Sequence, residues 1–82
     1  MPAKNRRLVL LGNALREARN AVAVSQEVLS LESKVDRTYI SEIENGHKSP
    51  SVEILFRLCP ILGVSVSELI ARVERSLQSG RT

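Results

Sequence analysis

Aromatic side chains are almost missing from this 82-residue chain: there is no tryptophan, and Tyr39 and Phe56 are the whole aromatic complement. Stacking platforms for unpaired bases are therefore excluded as a basis for function. A single cysteine, Cys59, cannot close an internal disulfide, which agrees with a reducing compartment. One histidine and one cysteine leave structural zinc without a ligand set, and no metal or cofactor is expected. No apolar run approaches the length of a membrane span, and MPAKNRRLVLLGNALRE breaks into charge too soon for a secretory signal. The expectation is a cytoplasmic protein with no membrane partner. There is also no Ser/His/Asp set, no glycine-rich phosphate loop and no paired metal ligands, so the sequence offers nothing to an enzyme reading.

What is present is a modest excess of positive charge, 12 basic against 9 acidic residues, unevenly spread. Residues 1–25 carry Lys4, Arg6, Arg7, Arg16 and Arg19 against Glu17, whereas residues 26–50 hold five acids and three bases. A polyanionic partner is permitted by the total and favoured near the N-terminus.

Helical periodicity runs through the chain and strand alternation does not. Leu11, Leu15, Ala18 and Val22 predict a first helix over about 7–21. Ser25 is a capping residue for a second over 26–33, with Glu27 in the first turn where the helix dipole favours an acid. Asp36 caps a third, over about 37–45, ended by Gly46. Ser51 caps a fourth over 52–62, whose Leu55, Leu58, Cys59 and Leu62 form one stripe. Pro60 lacks a backbone donor, and a kink or early stop is expected there. Ser65 and Glu68 have capping-box spacing ahead of a fifth helix over about 66–78. The expected fold is all-α, one compact five-helix domain over 8–78, between a basic arm at 1–7 and a flexible tail at 79–82.

The segment SQEVLSLESKVDRTYISEIENG has the layout of a helix-turn-helix, in which the second helix stands out from the body and the first braces it. Val28, Leu29, Val35, Ile40 and Ile43 make the inward set, and Ser30 is small where the helices approach. Outward at the start of the third helix are Arg37, Thr38, Ser41 and Glu42. Arginine can fork onto guanine O6 and N7, a threonine methyl can meet thymine, and a carboxylate can accept from the cytosine amino group. These are base-reading chemistries.

From Ser25 through YISEIENG, the serine-proline turn and LGVSVSEL, the chain resembles the Cro and lambda-repressor-like, or XRE, family of helix-turn-helix transcription regulators over about residues 8–73. DRTYIS is, more narrowly, similar to the small controller proteins of restriction-modification systems. The resemblance implies a cytoplasmic regulator that binds double-stranded DNA at a pseudo-palindromic operator as a homodimer. It implies base reading by Arg37, Thr38, Ser41 and Glu42, phosphate contacts by Gln26, Tyr39, Asn45 and Lys48, and a structural ion pair between Arg19 and Glu44. RNA polymerase or a toxin protein would be further partners, and an antitoxin or protein-interaction adaptor on the same helical body is the alternative reading. The chain departs from the family at Ala23 and Lys34, where glycine is usual, and at Leu31, where a polar residue is usual. Leu31 is either a stray surface leucine or part of a contact with another chain. The apolar stripe of the fifth helix is wider than the domain needs, so Ile70, Val73 and Leu77 are the expected dimer interface.

Overall fold

A computed structural model describes residues 5–79. Five helices follow one another: α1 (Arg6–Ala21), α2 (Gln26–Ser33), α3 (Arg37–Glu44), α4 (Val52–Leu62) and α5 (Val66–Ser79). Helix α1 packs against α3 and α5, α2 against α3 and α4, and α4 against α5. The stripes these helices share converge on Leu15, Leu29, Ile40, Ile43, Leu58, Leu62 and Leu69, all fully buried. Cys59 packs among them, and burial pushes its thiol pKa up, so it acts as a small apolar residue.

Side-chain caps explain where the helices begin. Ser25 Oγ accepts from Val28 N at 3.0 Å and Ser51 Oγ from Ile54 N at 3.1 Å. Asp36 Oδ2 accepts from Thr38 N and Tyr39 N at 3.0 and 3.3 Å. Asn5 is a cap the sequence reading passed over: its Oδ1 accepts from Arg7 N and Leu8 N, which starts α1 at Arg6. Arg6 and Arg7, expected in a basic arm, therefore lie in the first helical turn, and the rest of that arm, residues 1–4, lies outside the described residues. Ser79 likewise closes α5 rather than opening a tail, whose residues 80–82 are outside the described residues. Only half of the capping box at α5 forms. Ser65 Oγ accepts from Glu68 N at 3.0 Å, while the Glu68 carboxylate accepts from Arg72 Nη2 at 3.1 Å.

Two apolar residues assigned inward are exposed. Val22 is the C-cap of α1 rather than part of its stripe, and Val28 is 40% exposed on the outer side of α2. Nor does Pro60 end α4 early: the helix runs on to Leu62 and closes at Gly63, whose φ is 74°. Pro60 stands near the C-terminal end on the exposed side, so the donor it lacks removes one ladder bond to the Phe56 carbonyl, also on an exposed residue. At the end of the helix, Val64 N and Gly63 N donate to Cys59 O and Pro60 O, which satisfies two of the last carbonyls of α4.

The two departures from glycine are accommodated in the left-handed region. Ala23 has φ 57° and Lys34 φ 64°. Around Lys34 the α2–α3 turn is tied on both sides: Ser30 Oγ donates to Val35 O at 2.6 Å, and Ser33 Oγ accepts from Val35 N at 3.1 Å. These bonds hold the exposed lysine in a conformation its Cβ disfavours by ~1–2 kcal/mol, a cost partly offset by the greater unfolded-state freedom of glycine. Lys34→Gly is expected to raise stability by about 0.5–1 kcal/mol in thermal unfolding. A lowered melting temperature would show that the turn draws on the lysine side chain.

Candidate nucleic-acid interface

The inward side of α3 is fixed by Ile40 and Ile43, and its C-terminal end lies close against α1. Gly12 of α1 is buried at this crossing: a Cβ there would meet the carbonyl oxygens of Ile43 and Glu44, the latter at 2.6 Å. A second glycine, Gly46, takes φ 77° just after α3 and lets the chain turn beside Val9. Thus α3 is docked main chain against main chain at one end and by the Asp36 cap at the other.

A buried carboxylate completes the docking. Glu44 is 1% exposed, and Arg19 reaches it with Nε at 2.7 Å and Nη2 at 2.9 Å, a two-point fork. Arg19 Nη1 also donates to Val24 O at 2.9 Å, tying the α1–α2 connection to the same guanidinium. Burial pushes the Glu44 pKa upward, but hydrogen bonds from Arg19 and Gln26, the Arg19 charge and a bond from Arg16 outweigh it and leave the carboxyl below its ordinary value. The Arg19 pKa is raised, chiefly by its hydrogen bond to Glu44 and against the effect of burial.

With its inner side so held, α3 presents the remaining residues outward. Arg37 and Thr38 are exposed, and Ser41 and Glu42 are half-buried. Gln26, Arg37, Thr38 and Ser41 line one open cleft between the starts of α2 and α3. Glu42, Tyr39, Asn45 and Lys48 lie outside that lining. Tyr39 Oη donates to Ser49 O at 3.4 Å, bracing the segment that leads to α4, while Asn45 caps α3 and Lys48 is exposed in the following turn.

The sequence reading missed two connections here. Gln26 Nε2 donates to Glu44 Oε1 at 3.0 Å, so the first residue of α2 is bound to the carboxylate that anchors α3. Arg16 enters the sequence reading only as one of the N-terminal basic residues, yet its Nη2 donates to Glu44 O at 3.2 Å and Asn45 Oδ1 at 3.0 Å, and its Nε lies 3.5 Å from Glu44 Oε1. The signal was the three-residue spacing of Arg16 and Arg19, which puts both guanidinium groups on one side of α1.

A model of the helix-turn-helix family matches residues 15–69, from the middle of α1 to the start of α5. The chain belongs to this family, in its XRE type. The control protein C.MunI of a Mycoplasma species is 35% identical over 68 residues, covering 82% of this chain and 92% of its own. In the crystal structure of the clp gene regulator ClgR from Corynebacterium glutamicum the likeness covers 94% of this chain and 81% of that one, with 35% identity and a TM-score of 0.82. The restriction-modification controller protein C.AhdI from Aeromonas hydrophila gives 37% identity and a TM-score of 0.72 over 76% of this chain and 94% of its own. The helix-turn-helix proteins it resembles are thus DNA-binding transcription regulators, a non-enzymatic class. Ile70, Val73 and Leu77 all lie beyond the matched residues. Among the described residues, no single helix is long and apolar enough to cross a membrane.

Proposed function

We propose that this chain is a sequence-specific regulator that binds a pseudo-palindromic operator in double-stranded DNA as a homodimer, with α3 in the major groove. The observation that carries this reading is the cleft in which Arg37, Thr38 and Ser41 stand beside Gln26 on the outward side of α3. Arg37 and Thr38 lead at the helix start and read base edges, with Ser41 and Glu42 one turn further on. Gln26, Asn45 and Lys48 hold phosphates on either side and set the register, joined by Tyr39 once its hydroxyl proton turns from Ser49 O to the DNA. Gln26 has one N–H committed to Glu44 and offers its second to the backbone.

Selection from random duplex DNA tests the proposal directly: the expected product is a site with two-fold symmetry whose half-sites are about one helical turn, 34 Å, apart. Arg37→Ala in the same selection should relax one position in each half-site, corresponding to ~1–3 kcal/mol of discrimination. Unchanged affinity and base preference in that variant would reject the assigned register of α3.

The dimer face is proposed on α5. Val73 is 8% exposed and packs in the core of its own chain, so it contributes from the edge, while Ile70 is 37% exposed and Leu77 is half-buried against the core. Ile70→Glu places a charge on this face without entering the core and should shift the chain to monomer in light scattering, with at least a tenfold loss of operator affinity. A charge at Val73 would unfold the domain instead. An unchanged mass for Ile70→Glu would rule α5 out as the interface.

A further inference from the structure

Building on the DNA-binding reading above, we propose that Arg16 is a positioning residue that fixes which end of the Asn45 amide faces the DNA. Asn45 is an exposed C-cap, and an exposed primary amide can rotate to present either its oxygen or its nitrogen. A phosphate only accepts hydrogen bonds, so half of those orientations repel it. A guanidinium only donates. Arg16 Nη2, 3.0 Å from Asn45 Oδ1, therefore holds the oxygen toward α1 and turns Nδ2 toward Ser41 Oγ, 3.4 Å away. Arg16 is itself held by two further acceptors, the main-chain oxygen and the carboxylate of Glu44. The buried charge that docks α3 is in this way connected to the orientation of an amide at its exposed end.

The test combines Arg16→Ala, Arg16→Lys, Asn45→Ala and the Arg16→Ala/Asn45→Ala pair in the full chain. Arg16→Ala should weaken operator binding about fivefold, the scale of ordering one amide side chain, and less than twofold when Asn45 is already alanine. Arg16→Lys keeps the charge, but its ammonium ends one bond short of the Nη2 that donates to both Glu44 O and Asn45 Oδ1, and the variant should behave like Arg16→Ala. The slope of log affinity against log salt should stay as in the wild type, because no phosphate-bound cation has been removed. Without DNA, nuclear Overhauser contacts from the Asn45 side-chain amide to Ser41 should vanish in Arg16→Ala. Equal losses with and without Asn45, a shallower salt slope, or full activity of Arg16→Lys would instead make Arg16 a direct or long-range charge contact and overturn the proposal. So would an unaltered Asn45 amide. A wild-type chain that prefers no duplex would fail the DNA-binding reading, while the amide measurement still decides whether Arg16 orients Asn45.

Discussion

Replacing Arg19 with alanine should cost this domain ~3–5 kcal/mol of stability, the range for breaking a buried ion pair from one side. The Glu44 side chain is fully buried, and Arg19 supplies two of its bonds and the fork that links it to Val24. Arg16 and Gln26 remain but contribute one bond each to the carboxylate, the former at 3.5 Å. Chemical denaturation at neutral pH measures the loss. Its pH dependence carries the mechanism. In the wild type the Glu44 pKa is depressed by folding, so its contribution is present above the unfolded value of about 4.3 and is lost as pH falls through the folded value. Without Arg19 its hydrogen bond and charge no longer lower the folded pKa while burial still raises it, so acidification should cost the variant less than the wild type. The deficit should therefore narrow on acidification. A deficit that is constant with pH would mean that Arg19 acts through packing and the Val24 bond rather than through the carboxylate charge.

The second large effect is expected at Gly12. Alanine would place its Cβ against the carbonyl oxygens of Ile43 and Glu44, which belong to main chain and cannot swing aside as a flexible side chain would. Separating α1 from α3 would also stretch the Arg19–Glu44 fork. The cost should reach about 2–3 kcal/mol, the upper part of the overpacking range, even though alanine is intrinsically the better helix former by ~1 kcal/mol. Thermal unfolding distinguishes the two influences by sign. A stabilised Gly12→Ala would show that the crossing opens freely.

These two residues mark the boundary of what the sequence disclosed. Five helices were legible because serine and aspartate caps and apolar spacing agree at nearly every start, and the one missed cap, Asn5, precedes two arginines that read as an arm. The Arg19–Glu44 pair was legible only through family resemblance, since a glutamate between Ile43 and Asn45 carries no local sign of burial. Gly12 gave no signal at all, because its role is set by a chain crossing more than thirty residues away in sequence. Val28 and Val22 were misassigned for a related reason: in a helix of eight residues, or at the last turn of a longer one, spacing cannot tell the buried edge of a stripe from the exposed one. The residues proposed to read bases stand together because helical geometry alone puts Arg37, Thr38 and Ser41 side by side; the addition of Gln26 to their cleft required the fold.

The close approach at Gly12 also bears on how this protein can change. Because α3 is seated by its own main chain, its cap and an internal carboxylate, the exposed side chains of Arg37 and Thr38 are spectators of folding, whereas Ser41 is half-buried and accepts from the Asn45 amide. On the proposed DNA-binding reading, Arg37 and Thr38 can be exchanged for others without moving the scaffold that presents them, so a new target site is reachable by recoding these two positions at little cost in stability. Gln26 is different, since it faces the cleft while donating to Glu44. Drift in specificity should run through α3 and spare the first residue of α2.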